Sequence, residues 1–218
     1  MKNITLFICL LISSVSFAQK IKVTEGNFKI ADGSHNGMKV MIYEQTVDEV
    51  EKAWKSEMKK TGAKISTKNG VQANNAFVKT IGEHPCDVYA TFTKADNGVE
   101  MVVAFNLGGA YLSSGSHPDQ YKATEAFVEK FAKEQVDAAM KAQVKEAEKN
   151  LKDGEKEVDK LVSEKANLEN EIKKAEDAIK KAEEGLKSNE KNQEEAKAKL
   201  EELKKSLEAV KAKQSKYN

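Results

Sequence analysis

From Met140 to Val210 the apolar positions of this chain step by alternating threes and fours. The series runs Met140, Val144, Ala147, Leu151, Gly154, Val158, Leu161, Lys165, Leu168, Ile172, Ala175, Ile179, Ala182 and Leu186. It continues through Asn189, Gln193, Ala196, Leu200, Leu203, Leu207 and Val210. A step averaging 3.5 residues places these side chains in one seam along an α-helix, the pattern of a coiled coil. Residues 119–218 contain no proline, so the pattern predicts helix throughout, as a coiled-coil-type arm.

The first half of the chain has a different rhythm. Lys39 to Gln45 reads as a strand. Thr46 with Glu49 forms a capping box, and Val47, Val50, Trp54 and Met58 then share one face of a helix that Gly62 ends. Ala63–Lys68 and Val71–Ile81 flank Asn69-Gly70, which predicts a hairpin with a type I′ turn. Cys86, Val88, Ala90 and Phe92 alternate with polar residues. Val99, Met101, Val103, Phe105 and Leu107 alternate with mostly smaller or polar residues beyond Asp96-Asn97-Gly98, which predicts a second hairpin. These elements imply an α+β domain: a small antiparallel sheet with a helix packed on one face. A helix starting near Asp119, with Phe127, Val128 and Phe131, is placed to cover the rest of that face. The composition changes near Pro118, so the expected division is 1–18 signal peptide, 19–118 head and 119–218 arm.

Charges flanking the seam bear on how the arm is paired. With Val144 as heptad position a, the e positions from Glu169 onward are Glu169, Glu176, Glu183 and Glu190, then Lys197, Lys204 and Lys211. A parallel, in-register pair would set Glu164 against Glu169, Glu171 against Glu176 and Lys199 against Lys204, all like charges. Antiparallel pairing sets Glu183 against Lys197, Glu176 against Lys204 and Glu169 against Lys211. It also places Ala182 opposite Leu200 and Ala175 opposite Leu207, small residues against large ones. Gly185, and Asn192 followed by Glu195, offer a turn and an N-cap near residue 190. The expected arm is therefore a helical hairpin, favoured over one continuous rod. The unbroken heptad phase through the turn speaks for the rod. Pairs such as Glu176/Lys180, Asp177/Lys181 and Glu183/Lys187 would support a helix in either case.

The N-terminus sets the compartment. Lys2, the apolar run Ile4–Ile12 and Ser16-Phe17-Ala18 have the order of a secretory signal peptide, with cleavage expected after Ala18. The apolar run is too short to span about 30 Å of hydrocarbon. The expected location is the periplasm or outside the cell, with no transmembrane segment in the mature chain. Cys9 leaves with the signal, so Cys86 is the one remaining thiol and no internal disulfide forms.

All 36 basic residues are lysine, set against 35 acidic ones, for a net charge of +1. Without the arginine fork or a basic block, nucleic acid is not an expected partner. His84-Pro85-Cys86 resembles a fragment of a metal site, but His35 and His117 are far off in sequence and no ligand spacing completes it. Gly108-Gly109 and Ser113–Ser116 precede a helix yet lack the spacing of a phosphate-binding loop, and read as a connection. Trp54 and Met58 read as core. No catalytic, cofactor-binding or metal-ligating residue is assigned, and no cofactor is expected.

These observations lead to the expectation of an exported, non-enzymatic structural or interaction protein. It would act as a scaffold or holdase through its coiled-coil arm, with a protein partner or a second copy on that arm. An alternative of another class is a small-ligand binding module, or an enzyme, on the head, with the arm serving oligomerisation.

Overall fold

The computed structural model describes residues 20–215, and the expected signal peptide lies outside them. The chain forms two compact units, one through Ala147 and one from Glu148. The boundary falls well beyond Pro118, because the first turns of the last helix belong to the core of the head.

The head is a six-stranded antiparallel sheet. Its strands are β1 (Thr24–Ile30), β2 (Gly33–Tyr43), β3 (Lys64–Ser66), β4 (Val71–Ala76), β5 (Cys86–Ala95) and β6 (Gly98–Asn106). Their order across the sheet is β1-β2-β6-β5-β4-β3. Helix α1 (Val47–Lys60) connects β2 to the far edge strand β3. The capping box forms as the sequence predicts: the Thr46 side chain accepts from the Glu49 amide, and the Glu49 carboxylate accepts from the Thr46 amide at 2.9 Å. Helix α2 (Pro118–Gln214) begins with proline at its first position, where a missing N–H costs nothing.

Period-two alternation decides which side chains enter the core. Met38, Val40 and Ile42 of β2, Val99, Met101, Val103 and Phe105 of β6, and Cys86, Val88 and Ala90 of β5 all point to one face. Val50, Trp54 and Met58 of α1 and Tyr121, Val128, Phe131 and Ala132 of α2 close over them. Trp54 is fully buried, with its ring edge-on to Phe131 at 4.9 Å. Thr124, the buried polar residue of this interface, shares a 3.0 Å hydrogen bond with Thr80.

The structure departs from the sequence expectations in four places. Strand β1 was not expected; its residues TEGNFKI carry only Phe28 and Ile30 as large apolar groups, as suits an edge strand. The strand expected over Val71–Ile81 ends at Ala76, after an irregularity at Asn75 (φ 59°), whose amide donates to the Asp87 carboxylate at 2.9 Å. The β3–β4 hairpin exists, but Ser66 pairs with Gln72, so its loop is longer than the two residues of a type I′ turn. Gly70 (φ +82°) is required there for a further reason: a Cβ would lie 2.4 Å from the Ala90 carbonyl oxygen.

The fourth departure concerns the arm. The expected helical hairpin does not form, and α2 is one uninterrupted helix through residues 185–195. Gly185 and Asn192 are interior helical residues. Gln193 donates to Asn189 Oδ1 at 2.6 Å, one turn back along the same helix, so the two polar seam residues satisfy each other instead of marking a bend. A single interior glycine costs about 1 kcal/mol against alanine, too little to break a helix that is otherwise Ala-, Leu-, Lys- and Glu-rich. The unbroken heptad phase was the correct indicator.

Candidate functional site

Cys86, at the start of β5, is 4% exposed, and its thiol is pushed up to about 11 by burial and, secondarily, by the neighbouring Asp87 charge. It is neither a thiolate nucleophile nor a ready metal ligand near neutral pH. His84 lies beside it at the rim of a cavity of about 180 Å³, with Ile81, Glu83 and Leu107. His35 lies elsewhere on the sheet, and His117 precedes α2. Among the described residues no group of three or more His, Cys, Asp or Glu side chains is arranged to hold a metal ion.

The sheet face away from the helices carries a small aromatic group that the sequence reading missed. His35 stacks on Tyr111 with ring centroids 4.0 Å apart and planes 12° from parallel, and Tyr89 follows at 6.5 Å. Asp32 holds the His35 ring through a 3.0 Å contact, and that hydrogen bond draws its own carboxyl below the usual range. Burial pushes the Tyr89 and Tyr111 hydroxyls up, with the Asp87 charge adding to both. Ile30, Val102 and Ala104 underlie the group as a minor core. Strand register brings these residues together, Phe28 lying opposite His35 across β1 and β2, and neither β1 nor the part of β2 before Lys39 was expected.

A groove of about 570 Å³ runs between α1 and the stretch of α2 from Gln135 to Gln143. Ala53, Ala138, Ala139 and Ala142 line it, together with Glu49 and Lys52. Gln45 donates to the Gln135 carbonyl at 2.8 Å, and Gln143 donates to the Glu44 carboxylate at 2.9 Å, so the groove is spanned by amide contacts. The groove presents no converging catalytic groups.

The largest exposed apolar feature is the seam of α2 within the second unit. Leu151, Val158, Leu161, Leu168, Ile172, Ile179, Leu186, Leu200, Leu203, Leu207 and Val210 are all about half or more exposed, from 49% at Leu161 to 65% at Leu186. Every described residue beyond Ala147 is exposed, seam and flanks alike. Ion pairs form within the helix, among them Lys165–Glu169 at 3.6 Å, from the seam to its flank, and Lys204–Glu201 at 2.7 Å and Lys211–Glu208 at 3.2 Å on the flanks. The i,i+4 pairs expected at Glu176/Lys180, Asp177/Lys181 and Glu183/Lys187 are not among them. Exposed pairs of this kind contribute about 0.2–0.5 kcal/mol each. Fully burying one Leu, Ile or Val side chain contributes about 1.5–3 kcal/mol. The seam, not the salt bridges, is where free energy is available.

Among the described residues no helix is long and apolar enough to cross a membrane. No protein-family model matches the chain, and comparison with curated proteins and with solved structures gave no match either.

Proposed function

We propose that this is an exported, non-enzymatic interaction protein whose working surface is the apolar seam of its long helix. The observation that supports it is the seam itself: large apolar side chains at heptad spacing, exposed along residues 151–210. Scattered surface leucines are ordinary, whereas a contiguous stripe of them marks a place where another chain binds. The head supplies a folded base, and the arm presents a recognition stripe to a protein partner, in the manner of a scaffold or holdase. The signal-like N-terminus directs this activity to the periplasm or the outside of the cell.

The test is a seam variant, Ile179→Lys with Leu203→Lys. Far-UV circular dichroism follows the arm, and emission from Trp54, the single tryptophan, follows the head. In the native protein the arm's melting temperature is expected to rise with protein concentration, or with added reduced, carboxymethylated lactalbumin as an unfolded probe. The variant is expected to lose that rise and keep the head's transition. An arm that melts at the same temperature in both proteins, whatever is added, would defeat the proposal.

A further inference from the structure

The charges that suggested a hairpin are still on the chain, but an unbroken α2 cannot satisfy them by folding back. We infer that they are satisfied by a second copy of the chain: two arms pair antiparallel, with a two-fold axis beside residue 191. Self-pairing of the seam presupposes the reading that the seam binds protein, and it names the partner.

Heptad geometry fixes the register. In an antiparallel pair a faces d′, e faces e′ and g faces g′. With the axis beside residue 191, Glu169 meets Lys211 of the other copy, Glu176 meets Lys204, Glu183 meets Lys197 and Glu171 meets Lys213. Each contact occurs twice by symmetry. Core layers pair Ile172 with Val210, Ala175 with Leu207, Ile179 with Leu203, Ala182 with Leu200 and Leu186 with Ala196. Bulk is complementary at the alanine layers. Asn189 then meets Gln193, so the polar seam residues face each other on both sides of the axis. A slip of one heptad sets Asn189 against Leu200 in one direction and Leu186 in the other, leaving an amide in an apolar layer. The polar layer therefore selects this register, as a single buried amide does in coiled coils.

Two features oppose the pairing and are outweighed. Glu190 meets its own copy at the axis, the one like-charge contact at the e positions. Lys204 and Lys211 each hold an acid of their own helix, at 2.7 and 3.2 Å, but both pairs are exposed and exchange at little cost.

The experiment is a charge swap on the full chain, head and arm together, read as the homodimer dissociation constant by sedimentation. Lys204→Glu with Lys211→Glu turns four attractive contacts repulsive and is expected to weaken self-association by about tenfold or more. Glu169→Lys with Glu176→Lys is expected to do the same. An equimolar mixture of the two variants restores every contact, and is expected to associate within about twofold of the native protein. A parallel pair gives the opposite result, since Lys204→Glu would relieve its repulsion with Lys199; a tighter Lys204→Glu/Lys211→Glu homodimer overturns the antiparallel register. A native protein that sediments as a monomer at every concentration overturns self-pairing altogether. That outcome leaves the seam's binding of the unfolded probe to be judged on its own, so the two failures are distinguishable.

Discussion

Cys86 shows how one buried group ties the core to pH. Its thiol ionises at about 11 in the fold against an ordinary 9.0, because burial opposes the thiolate and Asp87 adds a like charge. The folded state therefore holds the proton where the unfolded chain has lost it. The stability this contributes is complete below about pH 9 and is lost as pH rises toward about 11. Tyr121, pushed up to about 12 first by burial and then by Glu25 and Glu125, adds a similar loss at higher pH. Replacing Cys86 with valine removes the first contribution and leaves the second. Between about pH 8 and pH 10 the urea midpoint of the native protein is expected to fall further than that of Cys86→Val. Equal falls would mean that the thiol is hydrated in solution.

At the scale of elements, α1 and the β5–β6 hairpin were readable because each local choice agrees with the fold. The capping box, the i,i+4 face of Val50, Trp54 and Met58, and the alternation through β5 and β6 all point the same way. Strand β1 was not readable, because an edge strand needs few apolar residues, and its partner β2 supplies most of the burial. The aromatic group of His35, Tyr89 and Tyr111 was out of reach for the same reason: it depends on strand register, which the spacing of residues does not give. In the arm the seam was legible and the connection was not. Pairing charges state what the helix prefers to meet, without stating whether the partner lies on the same chain. Gly185 separates the two arrangements. As an interior residue of a continuous helix, Gly185→Ala is expected to raise the arm's stability by up to about 1 kcal/mol, seen as a higher melting temperature by circular dichroism. At the turn of a hairpin the same change would lower it.

For the whole molecule, the boundary between the compact units makes a prediction about truncation. Every described residue beyond Ala147 is exposed, while Tyr121, Val128, Phe131 and Ala132 are core residues of the head. A chain ending after Ala147 is expected to keep the head's cooperative unfolding, followed by Trp54 emission. Ending after Ser116 removes Tyr121, Val128 and Phe131, each contributing about 1.5–3 kcal/mol by burial, against a total stability of about 5–15 kcal/mol for such a domain. That shorter chain is expected to lose its native emission; keeping it would place α2 outside the head's core. The heptad spelling of the arm has one more consequence. An α-helix completes a turn in 3.6 residues, so side chains seven apart drift by about 20° around its axis. Between Leu151 and Val210 the apolar stripe thus circles the arm by about 170°. A flat, rigid surface laid alongside touches only part of it. Whatever meets the whole stripe has to wind left-handedly as it goes, so the arm sorts its partners by pliancy before it sorts them by charge.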